Sequence, residues 1–468
     1  MSNDDLCLLS ATEAARLIAE RKLSPVELTD SVLARAERLQ PRLNVFALLT
    51  AEDARRDAKA AEVAVMQGAA LGPLHGVPIT IKDNLALAGK PLRHGSLMTE
   101  GAIASADAAV VARVKAAGAV IIGKTTLPEY AHKVLTDSKL HGITRNPWDL
   151  AHTPGGSSGG ASAALAAGIA PIAIGTDGGG SIRCPASCAG IVGLKATLGR
   201  VPNDSTPDAF ANYSFTGPMT RNARDTALLL SVLAGPLPAD PYSLAVPPLP
   251  ARTPSATARG VRIGWIEHFG RYRTEDEVAR ITAASIAALA DQGAIVEPLH
   301  DPCFDDLFDV YTVIASSGHA VRLGAQAERF GAAVTDSLRD SIARGARWSA
   351  TDWLRAHEKR TTLFRAVQRL FTRFDVIAMP TMTAPPPLVD AGGSIATSMY
   401  AEWAAALYPF NLTGHPAISI PAGFTASNLP VGLQLVGPWF AEEALLDLAS
   451  CLEAGRTQPW PPGMSLSE

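Results

Sequence analysis

Apolar positions recur at helical spacing along the first seventy residues. Ala14, Ala15, Leu17 and Ile18 fall on one stripe among charged neighbours, which predicts a helical segment, residues 1–70, that packs one face on a larger body. Ser10 with Glu13, and Ser24 with Glu27, each set a side-chain acceptor three residues before an acidic residue, and Pro25 fits the first turn of the second helix. From Gly76 the texture changes. Short β-branched runs at 77–81, 119–122 and 172–174 alternate with alanine-rich stretches, the pattern of an α/β sheet. After Leu230 a passage with Pro236, Pro238, Pro241, Pro247, Pro248, Pro250 and Pro254 excludes regular helix and central strand, so residues 236–259 read as a connection. Beyond it, 261–266 reads as a strand, Thr274 with Glu277 as a helix start, and Gly293 as its stop, giving a second α/β portion over 260–468. A break from Pro380 to Pro387 precedes a last stretch beginning near Tyr400.

Composition removes several classes of function. With 468 residues, 47% of them hydrophobic, the chain can bury a large core. A formal net charge of −4 supplies no basic face, so neither nucleic acid nor an anionic membrane is an expected partner. The most apolar window, 160–175, is broken by Gly168 and Pro171 and is too short to span a bilayer. Cys7, Cys184, Cys188, Cys303 and Cys451 are odd in number and scattered, unlike a disulfide framework. The opening Met-Ser-Asn-Asp-Asp lacks the features of a secretory signal, and both observations point to the cytoplasm. Ten dispersed histidines, and a Cys184–Cys188 pair with no second ligand pair, give no reason to expect a metal.

Two glycine-rich segments each surround a serine: Pro154-Gly155-Gly156-Ser157-Ser158-Gly159-Gly160 and Gly175-Thr176-Asp177-Gly178-Gly179-Gly180-Ser181-Ile182-Arg183. Glycine lets backbone N–H groups approach a ligand closely, as an oxyanion hole requires, although either segment alone is equally compatible with a tight turn. Between them, residues 159–167 read as a helix of small side chains whose positive end lies near the serines. Lys82 ends the run 77–81, so a strand would carry it into the core; an isolated strand-end lysine would more often reach solvent.

These segments, with Asn146-Pro147-Trp148, Gly190-Ile191-Val192-Gly193-Leu194-Lys195, Gly76-Val77-Pro78, Asn411-Leu412-Thr413-Gly414 and Gly432-Leu433-Gln434, resemble the amidase signature family over nearly the whole chain. The resemblance implies one amidase domain across 1–468, its signature core at 71–235, folded as an α/β structure with helices on both faces of a mixed, twisted sheet. It implies amide hydrolysis without a metal or organic cofactor, with Ser181 as nucleophile, Ser157 as a bridging serine after a cis peptide bond, and Lys82 as base. A buried lysine can accept a proton because burial favours the neutral amine. The N–H groups of Gly178, Gly179, Gly180 and Ser181 are then expected to face the oxyanion. Ser158, Thr176, Asp177 and Arg183 are expected to support them, the last two as an ion pair that holds the glycine loop. The expected partner is a small-molecule amide, with esters as side substrates, and base rates among oligomers favour a homodimer.

Rival readings carry less. Residues 118–125 satisfy P-loop spacing, but the β-branched residues between the glycines form the strand itself and leave no loop for phosphates. His75, His94, His132 and His152 lie near the relevant segments, yet the family pattern uses lysine. The glutamine-hydrolysing A subunit of tRNA-dependent amidotransferases is similar throughout; where its members carry an acidic residue, this chain has Trp403-Ala404-Ala405-Ala406. A catalytically dead binding protein is disfavoured because Lys82, Ser157 and Ser181 are all present. Two departures stand out: Ala196 replaces the family's usual proline, and the segment 88–96, with Arg93 and His94, could shape substrate choice.

Overall fold

Among the described residues, eleven strands lie in one sheet on which the site is built. In chain order the strands of the molecule are β1 (Phe46–Leu49), β2 (Pro78–Lys82), β3 (Val120–Thr125), β4 (Asp137–Ser138), β5 (Gly142–Ile143), β6 (Ile172–Asp177), β7 (Val192–Lys195) and β8 (Phe215–Thr220). They continue with β9 (Arg262–Trp265), β10 (Ile295–Pro298), β11 (Val376–Pro380), β12 (Ala417–Phe424) and β13 (Pro430–Val436). The fold comes from a computed structural model that describes residues 3–249, 252–389, 401–454 and 459–464. Pro250 and Tyr400 lie outside these residues.

The large sheet runs β1-β3-β2-β6-β8-β7-β12-β13-β11-β9-β10, and β4 with β5 form a separate small hairpin. The sheet is mixed: β3, β2 and β6 are parallel neighbours, β6 through β13 pair antiparallel, and β9 is parallel to both β11 and β10. Strands from both sides of the proline-rich passage therefore share it. That passage contains a short 3-10 turn at Pro241–Ser243 and otherwise no regular element among its described residues.

Every residue of β2 and β6 is buried, so neither strand shows the alternation of a half-exposed sheet. The Ala11–Ala19 helix turns Ala11, Ala14 and Ile18 to the core, with Ser10 accepting from the Glu13 N–H at 3.1 Å. Ser24 caps the Pro25–Leu43 helix by accepting from Val26 and Glu27 N–H. Each such cap contributes about 1 kcal/mol. The later helix departs from expectation. It spans Asp276–Asp291 with Glu275 at its N-cap, because the Thr274 hydroxyl donates instead to the Glu267 carbonyl at 2.8 Å. Gly293, at φ 96°, follows its end.

Candidate active site

Because β2 and β6 are parallel neighbours, their carboxyl ends emerge together, the usual place for a site in such a sheet. That geometry sets Lys82 beside Thr176 and Asp177. The Lys82 side chain is fully buried, and its Nζ donates to Ser157 Oγ at 2.8 Å, Thr176 Oγ1 at 2.9 Å and the Thr176 carbonyl at 3.3 Å. All three acceptors are uncharged. Burial pushes the Lys82 amine well below the ordinary lysine range, with the Asp177 charge opposing the shift only in part.

Ser157 follows a cis peptide bond from Gly156 and lies just before the Gly159–Ala166 helix, whose residues are all buried. Ser158 pins this turn to β6. Its hydroxyl donates to the Thr176 carbonyl at 3.2 Å and accepts from the Thr176 N–H at 3.3 Å. The Ser158 N–H in turn donates to the Ser181 carbonyl at 3.2 Å, so the two serine loops are tied through the backbone. The Ser181 hydroxyl makes no hydrogen bond with the described residues. The structure joins Lys82 to Ser157 directly and ties the loop of Ser157 to that of Ser181 through the Ser158 N–H.

Asp177 organises the glycine loop that leads to Ser181. Its carboxylate accepts from the Gly180 N–H at 2.6 Å and the Ile182 N–H at 3.2 Å. This corrects one expectation: the Gly180 N–H is committed to Asp177 and does not face an oxyanion. Arg183 completes the arrangement with Nε to Asp177 Oδ2 at 3.0 Å and NH2 to Oδ1 at 3.1 Å. The same guanidinium donates to the Leu407 carbonyl at 3.0 Å, Gln434 Oε1 at 2.7 Å and Asn411 Oδ1 at 2.6 Å. Burial alone would raise the Asp177 carboxyl. The Arg183 charge and hydrogen bonds, with Asn411, outweigh it and hold the group well below the usual carboxylate range.

Gly180 adopts φ 113°, and a Cβ there would collide with the Leu407 side chain. A Gly180→Ala variant is expected to lose on the order of 1–3 kcal/mol of stability. Thermal melting beside a Gly324→Ala control, where the backbone is not left-handed and a Cβ meets only one ordinary contact at 4.0 Å, checks it.

Sequence reasoning missed three polar side chains. Asn84 Nδ2 donates to Thr176 Oγ1 at 3.1 Å, fixing the second acceptor of Lys82. Asn411 Nδ2 donates to the Asp177 carbonyl and carboxylate, both at 2.8 Å, and Gln434 bridges Arg183 to the Ala406 carbonyl. Asn411 and Gln434 stand inside the motifs that carried the family resemblance, which was the available signal.

The other candidates serve elsewhere. Lys124 lies within β3 and pairs with Asp83 at 3.0 Å, so the P-loop spacing falls on a strand. His75 contacts the Ala61 carbonyl, His132 contacts Ser337, His152 contacts Asp149, and His94 stacks on Tyr130. Cys184 and Cys188 are buried, and none of the five cysteines is in a disulfide among the described residues. Among the described residues no cluster of three metal-ligating side chains occurs, and no helix is long and apolar enough to cross a membrane.

The model of the amidase family matches residues 27–446. The chain is 34% identical over 470 residues to an acylamidase from Rhodococcus erythropolis, covering 98% of each. It is 36% identical over 479 residues to the A subunit of the glutamyl-tRNA(Gln) amidotransferase from Roseiflexus sp. (strain RS-1), covering 97% of each. Among solved structures, a bacterial aryl acylamidase of the amidase signature enzymes superposes with a TM-score of 0.88 at 30% identity, covering 96% of this chain and 99% of that one.

Proposed function

Because this chain belongs to the amidase family, we propose that it hydrolyses a carboxylic amide to an acid and ammonia or an amine through an acyl-enzyme on Ser181. The observation that carries the reading is a fully buried Lys82 whose nitrogen lies 2.8 Å from Ser157 Oγ. A hydroxyl becomes a competent nucleophile when a neighbour takes its proton, and a neutral amine supplies that neighbour.

The Ser181 proton passes to Ser157 while the Ser157 proton passes to Lys82, and Ser181 Oγ bonds to the carbonyl carbon. Backbone N–H groups of Gly178 and Ser181 stabilise the oxyanion. Collapse breaks the C–N bond, and the Lys82 proton returns through Ser157 to the leaving nitrogen. Water then attacks the acyl-enzyme by the same relay and releases the acid. Esters share the acyl-enzyme and are accepted as side substrates. The scheme uses no metal or organic cofactor.

The relatives include glutamyl-tRNA(Gln) amidotransferase components at similar identity. A buried apolar stretch, Trp403 to Ala406, supports self-standing amide hydrolysis over that role. Glutamine as the sole substrate, cleaved only with added partner proteins, would favour the amidotransferase.

Ser181→Ala is expected to abolish turnover across a panel of aliphatic, aryl and amino-acid amides, and undiminished turnover rejects the scheme. The pH profile follows from Lys82. Only the neutral amine accepts a proton, so kcat/KM rises as pH passes its lowered pKa and levels off before the ordinary lysine value near about 10.4. A profile that shows no rise with pH anywhere below about 10.4 counts against lysine as base.

A further inference from the structure

Lys82 touches three oxygens, and two of them can face it either way. The Thr176 carbonyl only accepts, whereas the hydroxyls of Ser157 and Thr176, at 2.8 Å and 2.9 Å, can each accept from the amine or donate to it. A neutral amine has two N–H groups and one lone pair. With one N–H given to the carbonyl, the other N–H and the lone pair are divided between the two hydroxyls. Proton transfer needs one division: the Ser157 O–H faces the lone pair while the Thr176 oxygen takes the N–H. In the reverse division Thr176 donates into the lone pair, and Ser157 has no base.

The choice turns on where the Thr176 hydrogen goes. Thr176 Oγ1 has one other hydrogen-bonding neighbour among the described residues, Asn84, whose Nδ2 lies 3.1 Å away. Posed so, Thr176 Oγ1 receives from both sides and its own hydrogen has no acceptor but Lys82. Asn84 Oδ1 meanwhile is buried without a partner among the described residues. A half-turn of the side-chain amide exchanges its oxygen and nitrogen and brings Oδ1 to face the Thr176 hydroxyl. One end of the amide is unmet in either pose, so the hydrogen bond gained from Thr176 decides between them. The nearby carboxylates of Asp83 and Asp177 are engaged with Lys124 and Arg183, each at 3.0 Å, and neither hydrogen-bonds the Thr176 hydroxyl.

We infer that Asn84 is a positioning residue of the relay: its side-chain oxygen accepts the Thr176 hydroxyl hydrogen, so that Thr176 meets Lys82 only as an acceptor and the lone pair is kept for Ser157. The inference rests on the amide-hydrolase reading above and adds a residue to its machinery. With that hydrogen held by Asn84, the same three oxygens fit both states of the amine. The neutral amine gives two N–H groups to Thr176 and takes the Ser157 O–H; the protonated one donates to all three, and no side chain has to turn. Asn84 itself acts through Thr176 and exchanges no proton with Ser157 or Ser181.

The test measures how fast a fluorophosphonate labels Ser181 across pH, a readout of nucleophile activation that is independent of the amide, beside melting curves of each full-length variant. Asn84→Leu is expected to label about tenfold or more slowly than the native protein. In a Thr176→Val background, where no hydroxyl remains to misdirect, the same change is expected to alter the rate by less than about twofold. Asn84→Asp keeps an acceptor and adds a negative charge that favours the ammonium. Its rate is therefore expected to return to within about threefold of native, on a rise moved to higher pH. Where Asn84→Leu melts early, the Asn84→Asp profile carries the test. Native labelling by Asn84→Leu, an equal loss in both backgrounds, or an Asn84→Asp protein as slow as Asn84→Leu at every pH overturns the role of Asn84 and leaves the hydrolase reading intact. A native protein that neither takes the label at Ser181 nor cleaves any amide of the panel overturns the hydrolase reading, and the positioning role falls with it.

Discussion

Lys82→Met is expected to lower amide turnover by about 10³- to 10⁴-fold while the variant melts no lower than the native protein at neutral pH. The two effects share one cause. In the folded chain Lys82 lies out of water against three uncharged acceptors and its pKa is strongly depressed, whereas in the unfolded chain it is an ordinary charged lysine. Folding between the two pKa values must therefore discard a proton, and folding below both must bury a charge; either weakens stability, and the penalty disappears as pH rises to the unfolded value near about 10.4. Methionine keeps the bulk without the penalty. The stability advantage of the variant is thus expected to shrink as pH rises, a trend that melting curves between neutral and alkaline pH would display. Pairing the change with Ser181→Ala should cost little beyond either single change, since residues that act as one unit are not additive. A folded Lys82→Met protein with native turnover would falsify the role given to the lysine.

Arg183→Met is expected to be the most destabilising single change near the site, at about 3–5 kcal/mol. Both Arg183 and Asp177 are fully buried, and the guanidinium makes two hydrogen bonds to the carboxylate and three to Leu407, Asn411 and Gln434. Its loss leaves a carboxylate in the interior without its hydrogen-bonded cation. Lysine at this position is no remedy, because a single ammonium cannot reproduce five donors in a fixed fork. Thermal melting of Arg183→Met and Arg183→Lys checks this, and a shift no larger than that of an exposed arginine such as Arg273 refutes it. Arg273, in its exposed pair with Asp276, belongs to the class of contacts that contribute about 0–1 kcal/mol.

The features legible in the sequence were those encoded locally. A β-branched run ending in lysine specified a strand, the burial of its amine becoming readable only beside the two serine loops, and small residues after Gly159 specified a close-packed helix. Capping serines at positions 10 and 24 were readable for the same reason, since cap and helix are three residues apart. What failed was competition between local rules. Thr274 has the chemistry of a cap, but a backbone carbonyl at Glu267 claims its hydroxyl. The glycine turn has the chemistry of an oxyanion hole, but an aspartate three residues earlier claims the Gly180 N–H, a pattern that an Asp before three glycines could have suggested. Contacts between distant segments left no local trace: Asn411 and Gln434 reach Arg183 from more than two hundred residues away, and no periodicity encodes that meeting.

The reach of Arg183 also bears on how the protein is made. Lys82, Ser157 and Ser181 all leave the ribosome in the first half of synthesis, yet the turn bearing Ser181 is braced by groups that emerge with residues 407, 411 and 434. On the proposed scheme a nascent chain accordingly holds the reacting side chains long before it can align them, and chemical competence arrives only as translation nears its end.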